Sequence, residues 1–297
     1  MNKSFTLIEI LVVIVIVGIL SAFIIVGMAG VSEKAAIAKG QAFAGSLKNS
    51  LLLNLVSEWK LDQVNIPAVN QTPDDWSANN CTLVGPSGSQ NLPQLQTSGC
   101  VSGNCFLFDG TDDYLNCGTG ANLNIRDAIT IEAWVKEVSH KNFAGIVEKG
   151  DKYVVLSRSS SPFSYYFILR DVDAGNNYAN MVSAVPLEQW AHLVATWTKG
   201  SAMKMYLNGV LDVTGDVCNK QIADTAGGPL RIGEFNSSSY AFNGFIDNVR
   251  IYSEAVPVSQ IQQSYYVGLI RLLFNKGISF EEYQQRLGEL KSYLVKK

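Results

Sequence analysis

Histidine is nearly missing from this chain, with two in 297 residues. The five cysteines, at 81, 100, 105, 117 and 218, include no Cys-x-x-Cys pair. Zinc needs clustered thiolate and imidazole ligands at such spacings, so the composition argues against it. Charge is scarce, at 16% of residues and a net −3. The basic residues form no stripe, which argues against a nucleic-acid footprint. The sharpest scarcity is local: between Glu9 and Glu33 lie 23 residues without a single charge. A helix needs roughly 20 apolar residues to cross a bilayer.

Glu9 stands at the edge of that run, where a carboxylate is costly and signals function. A cleaved secretory signal peptide has an apolar core of only about 7–15 residues, shorter than this run. A plain one-pass anchor explains the length but leaves Glu9 without a partner. A third reading rests on the string Ser4-Phe5-Thr6-Leu7-Ile8-Glu9-Ile10-Leu11. It resembles the prepilin signature of type IV pilins and secretion pseudopilins. The resemblance implies that a prepilin peptidase removes a 1–4 leader between Ser4 and Phe5. Phe5 is then N-methylated, and Glu9 becomes the fifth mature residue and the assembly residue. Ser4 stands where the family usually has Gly, and Val26 where many major pilins carry a Pro.

Cleavage would free an ammonium on Phe5 at a helix N-terminus, where the dipole disfavours it. Glu9 of a neighbouring subunit could neutralise it. Removing one partner of a desolvated pair costs about 3–5 kcal/mol, so such a pair would fix the axial register. The implied partners are other pilin subunits in a homo- or hetero-filament, the peptidase and the membrane. The implied location is the inner membrane before assembly and the cell surface afterwards.

Ile37, Leu47, Leu51, Leu52, Leu55 and Val56 recur at helical spacing among Glu33, Lys34, Lys39 and Lys48. The pattern predicts one helix over 5–57, about 80 Å long at ~1.5 Å per residue. Its membrane-spanning part would be about 7–30. Residues 58–103 are rich in Asn, Gln, Ser, Gly and Pro and read as a loop or linker, with a short strand near Cys81–Val84. Alternation then predicts strands at Ile129–Val135, Tyr153–Leu156, Tyr165–Leu169, His192–Trp197, Met203–Leu207, Leu230–Gly233 and Phe245–Tyr252. Asn208-Gly209 marks a hairpin. Many short strands with no helical pattern between them imply an antiparallel sandwich over 104–255.

Residues 256–297 return to helix. Ile261, Tyr265, Leu269, Leu272 and Leu273 make one stripe, Asn275-Lys276-Gly277 a stop, and Ser279 with Glu282 a capping box. The fold class is therefore α+β: a long N-terminal helix, an antiparallel jelly-roll β-sandwich and a C-terminal helical hairpin. The hairpin's apolar face needs the sandwich, the long helix or a neighbouring subunit to pack on.

Five motifs in order carry a second resemblance: Phe108-Asp109-Gly110-Thr111-Asp112-Asp113-Tyr114, Ile131–Val135, Trp190–Trp197, Met205–Gly209 and Phe242–Tyr252. Together they look like the laminin-G-like branch of the concanavalin-A-like jelly rolls. That implies a glycan or surface-protein ligand and, in some members, a structural calcium. Asp109 and Asp247 would then share one Ca2+, with Asp112 and Asp113 in the same acidic loop. The alternative is that Asp109 and Asp247 cap turns through backbone amides. Trp76, Tyr178, Tyr240 and Phe242 are candidates for stacking on sugars, against the commoner fate of core packing.

Reflecting the segment 105–117 about Thr111 places Cys105 opposite Cys117. This predicts a Cys105–Cys117 disulfide, with Cys81–Cys100 second and Cys218 left over. A glycosidase would need two carboxylates about 5–10 Å apart on one face. Glu132 and Glu137 differ by five, so a regular strand points them to opposite faces. Asp171 and Asp173 lie in a turn, no Glu-x-Asp-x-Glu run exists, and His192 reads as a strand histidine. The expectation is a binding protein, not an enzyme.

Overall fold

The computed structural model describes residues 54–64, 70–86, 92–158, 162–225 and 227–295. The chain divides after Ser46, and all described residues belong to the second unit, Leu47–Lys297. The predicted leader, the membrane-spanning segment and the helix as far as residue 53 lie outside the described residues. Among those described, no helix is long and apolar enough to cross a membrane.

In chain order the strands are β1 (Leu55–Trp59), β2 (Gln71–Thr72), β3 (Cys81–Val84), β4 (Gln94–Gln96), β5 (Cys105–Asp109), β6 (Tyr114–Asn116), β7 (Ala128–Glu137), β8 (Gly145–Lys149) and β9 (Tyr153–Arg158). They continue as β10 (Ser164–Arg170), β11 (Asn176–Asn180), β12 (Ala191–Thr198), β13 (Ser201–Leu207), β14 (Val210–Cys218), β15 (Leu230–Ile232), β16 (Glu234–Phe235), β17 (Ser237–Ala241) and β18 (Asn243–Tyr252). Two helices follow, α1 (Val258–Phe274) and α2 (Phe280–Val295). One sheet runs β14-β13-β12-β7-β18-β5-β4, with β1 also paired to β18. The other runs β11-β10-β9-β8-β15-β6-β3-β2, and β16-β17 is a separate ribbon. All named pairings are antiparallel, so the predicted sandwich is present.

The core follows from alternation. Ile129, Ile131, Ala133 and Val135 on β7 meet Tyr153 and Val155 on β9 and Tyr165, Phe167 and Leu169 on β10 in one buried cluster. The even-numbered β7 residues Thr130, Glu132 and Trp134 point the other way, yet they are buried too. The helical hairpin meets Glu132 and Trp134, and the segment leading into it bonds Thr130, which settles what its apolar face packs on. Trp134 stacks on Tyr265 of α1, with centroids 5.7 Å apart and planes at 19°. Gly268 lies against the same indole, and a Cβ there would stand 2.3 Å from Cζ2.

The helix stop is confirmed, with Lys276 taking the left-handed turn at φ 57. Of the capping box, one arm is present: Glu282 N donates to Ser279 Oγ at 3.1 Å. The Glu282 carboxylate turns instead to Arg286, at 2.6 Å. Asn208 and Gly209 join β13 and β14 with φ of 51 and 78, as a two-residue turn between twisted strands requires.

Two expectations are corrected. The predicted helix does not reach residue 57. Asn54 turns with φ 63, and β1 follows, pairing Leu55 with Tyr252 and Trp59 with Val249. Leu55, Ser57 and Trp59 are buried while their neighbours are not. That period of two wins over the helical spacing of the leucines because β18 offers a partner edge. Nor is 58–103 a linker outside the sandwich, since β2, β3 and β4 complete its two sheets.

The rim between the sheets is closed by side chains. Asp216 on β14 accepts the Tyr178 amide at 2.8 Å, and Asp212 accepts the Val182 amide at 2.7 Å. Gly215 lets the strands approach, since a Cβ there would lie 2.3 Å from the Tyr178 carbonyl oxygen.

Candidate functional site

The acidic loop after β5 binds itself. Asp109 N donates to both oxygens of Asp113, at 3.1 and 3.2 Å. Asp109 Oδ1 accepts the Thr111 amide at 2.7 Å. Burial, and then the charge of Asp109, push the Asp113 carboxyl up to about 7.

Asp247 lies elsewhere. The register pairs Asp109 with Asn243 and Phe106 with Ile246. Asp247 is therefore four residues along β18, about 13 Å away at ~3.3 Å per residue. Its carboxylate accepts Val101 N at 2.8 Å, Ser102 N at 3.1 Å and Asn248 Nδ2 at 2.7 Å. Burial holds its pKa well above the usual carboxylate range. The expectation that Asp109 and Asp247 share a calcium is thus corrected: both serve the backbone, at separate places. Among the described residues no group of three or more His, Cys, Asp and Glu could hold a metal.

The cysteine pairing is also corrected. The bonds are Cys81–Cys117 and Cys100–Cys105. β5 and β6 are not a hairpin, since the chain crosses from one sheet to the other between them. β6 pairs instead with β3, Asn116 opposite Thr82, which brings Cys117 beside Cys81. Cys218 is free, as expected, and it is buried. The Cys100–Cys105 loop is a hub. Asp247 holds its Val101 and Ser102 amides, Asp62 accepts Asn104 N at 2.8 Å, and Asn275 Nδ2 donates to Val101 O at 3.2 Å.

A bulge on β18 gathers a buried charge cluster. The register shifts between Asp247 and Arg250, and Asn248 has φ 48. Both Asp247 and Arg250 consequently face the hairpin. Arg250 donates to Glu58 at 2.7 Å and to Glu132 at 3.0 Å. Glu132 also accepts from Ser264 Oγ and from His192 Nε2. Burial raises the Glu132 pKa, but Arg250 first and then His192 hold it down to about 2.

His192 is fully buried, and its Nδ1 has no partner. Glu137 lies on the opposite face, as the spacing predicts, bonded to His140 and Tyr165 at 3.1 Å each. This places Glu132 and Arg250 in the packing between sheet and helices, out of a substrate's reach.

The outer face of the second sheet is partly covered. Tyr166 and Ile168 of β10, partly exposed, lie beside Leu156 and Val154 of β9, which are buried, all on the side away from the core. Around Tyr166 an aromatic cluster assembles. Phe143, 39% exposed, stacks on it with centroids 6.3 Å apart. Phe143 meets Tyr240 edge-on at 6.0 Å, and Tyr240 meets Phe235 at 5.8 Å. The Arg158 guanidinium lies 5.5 Å over Tyr166, and the exposed Phe163 stacks on His140 at 3.9 Å.

Of the sequence candidates, Tyr240 joins this cluster and Tyr178 is exposed on β11. Trp76 is exposed and lies outside this cluster, while Phe242 is fully buried in the core. Phe143, Tyr166, Phe235 and Arg158 were not anticipated. Only Tyr166 carried a signal, as the even partner in an alternating strand. A groove of about 810 Å³ lies elsewhere, beside Asn122, Asn124, Arg126 and Asp127. All four are tied up: Arg126 by the Ile222 carbonyl, Asn124 by Asp224, Asp127 by Gln221 and Asn122 by Asn79. It carries no aromatic platform.

Solved structures share this fold. Domain 4 of AbnA, a GH43 extracellular arabinanase from Geobacillus stearothermophilus, in complex with arabinotriose, is similar at 17% identity and TM-score 0.53, over 70% of this chain and 97% of that one. The binding domain of Paraclostridial Mosquitocidal Protein 1 is similar at 13% identity and TM-score 0.56, over 72% of this chain. The botulinum neurotoxin serotype D ligand-binding domain in complex with N-acetylneuraminic acid is similar at 16% identity and TM-score 0.54, over 73%. The chain spans about half of each toxin chain, 52% in both cases.

No curated protein matches. Residues 1–25 match the model of a prokaryotic N-terminal methylation motif. The model described as concanavalin A-like lectin/glucanases superfamily matches residues 109–262, just over half of the sequence, and the chain belongs to that superfamily.

Proposed function

We propose that this protein is a type IV pilin-like or pseudopilin filament subunit that displays a lectin-type head for surface binding. The observation that carries the reading is the methylation motif at residues 1–25 on the same chain as a concanavalin A-like sandwich. On this reading a prepilin peptidase cuts between Ser4 and Phe5, Phe5 is N-methylated, and Glu9 pairs with a neighbour's new amine. The subunit waits in the membrane and then reaches the cell surface.

The head binds a glycan on the aromatic face built by Phe143, Tyr166, Tyr240 and Phe235. Exposed rings offer flat apolar surface to a sugar, and neighbouring polar groups fix its orientation. Two similar folds were solved with a carbohydrate, arabinotriose and N-acetylneuraminic acid, which makes both sensible first probes.

Amino-terminal sequencing of the exported protein tests the processing step. A methylated Phe5 supports it, and an intact Met1 overturns it. A second reading, a membrane-tethered binding module that never polymerises, shares every feature except the use of Glu9. It would leave Glu9→Ala with normal surface display and no assembly defect.

A further inference from the structure

Three Asn-x-Ser/Thr tripeptides fall among the described residues: Asn70-Gln71-Thr72, Asn80-Cys81-Thr82 and Asn236-Ser237-Ser238. Such tripeptides accept N-linked glycans when they lie on the surface of an exported protein. The fold separates the three.

Thr72 is fully buried, so the hydroxyl of the first tripeptide is out of reach. In the second, Asn80 Oδ1 accepts the Asp74 amide at 3.0 Å, Cys81 is held in a disulfide, and Thr82 Oγ1 lies 3.3 Å from Gln71 Nε2. In the third, Phe235 pairs with Ser237 across Asn236, which makes Asn236 the apex of the β16–β17 ribbon. Its φ is 62, a left-handed turn that Asn tolerates. Asn236, Ser237 and Ser238 are all exposed.

We propose that Asn236 is an N-glycosylation site, beside the aromatic face of the head. The donor is a lipid-linked oligosaccharyl diphosphate, and a membrane oligosaccharyltransferase carries out the transfer. The Asn236 Nδ2–C1 bond forms and the bond from C1 to the diphosphate oxygen breaks. The lipid diphosphate leaves with the electron pair, and one amide proton passes to a base of the transferase. The proposal needs an exported head but neither filament assembly nor a glycan ligand.

The test is peptide mapping by mass spectrometry of the full-length protein from its native cells. The peptide Ile232–Arg250 should carry carbohydrate, and the peptides holding Asn70 and Asn80 should not. Asn236→Gly, which accepts the positive φ, should abolish the added mass, as should Ser238→Ala. An unmodified Ile232–Arg250 peptide overturns the proposal, even if Phe5 is found methylated. Persistence of the added mass in both Asn236→Gly and Ser238→Ala also overturns it.

Discussion

Gly268 of α1 stands against the Trp134 indole so closely that a single Cβ would lie 2.3 Å from Cζ2. The hairpin is therefore fitted to the sheet at one glycine. Gly268→Ala should push α1 off β7 and cost about 1–3 kcal/mol, as overpacking does. Thermal unfolding of the head should show a Tm lower by several degrees, at roughly 2–4 °C per kcal/mol for a domain of this size. An unchanged Tm would mean that the hairpin does not seat there.

Arg250 is the counter-charge of a buried acid. Arg250→Met leaves Glu132 buried and uncompensated, a change that costs about 3–5 kcal/mol. The pH dependence has a definite sign. Glu132 sits near 2 when folded and near 4.5 when unfolded, so its contribution is present above pH 4.5 and fades toward pH 2. Denaturant titrations at pH 7 and pH 3 should show a smaller mutational loss at the lower pH.

Asp113 has the opposite sign. Folded, it keeps its proton up to about 7, whereas its ordinary value is 3.8. Across that interval the folded state binds the extra proton, so stability falls as pH rises. Asp113→Asn should raise Tm at pH 8, where the carboxylate pair with Asp109 is charged, and leave it unchanged at pH 4. An equal shift at both pH values would refute the coupling.

Non-reducing peptide mapping should find Cys81 linked to Cys117 and Cys100 linked to Cys105. The longer loop spans 36 residues. Replacing both Cys81 and Cys117 by Ser should cost about 2–4 kcal/mol.

Phe143→Ala with Tyr240→Ala should abolish glycan binding by the head at little expense in Tm, because Phe143 is well exposed. Binding to immobilised arabinotriose and sialylated glycans, read against the unaltered protein, checks this. Undiminished binding would move the ligand away from this face.

The sandwich and the helical hairpin were legible in the sequence because each rests on a repeating period. Ile129, Ile131, Ala133 and Val135 announce a strand whichever sheet receives them. What stayed hidden depends on long-range pairing. Nothing near Leu55 says that β18 has room for another strand, so the leucines read as helix. Thr111 looked like a hairpin apex because the crossing from one sheet to the other has no local signature. Asp247 was singled out for the wrong partner. A lone buried Asp gives no hint that its oxygens are used by Val101 and Ser102, on a loop 146 residues away. The aromatic face was half visible: Tyr240 could be named, but Phe143 sits in a turn whose neighbours only the fold supplies.

The two aspartates of β14, capping the Tyr178 amide of β11 and the Val182 amide just beyond it, have a consequence for crowding. Many copies of one head displayed side by side would present the same strand margin again and again. An uncovered margin of that kind templates runaway zippering between copies. Asp212 and Asp216 occupy some of those donors from within the same molecule, which lowers the tendency of neighbouring heads to zip together.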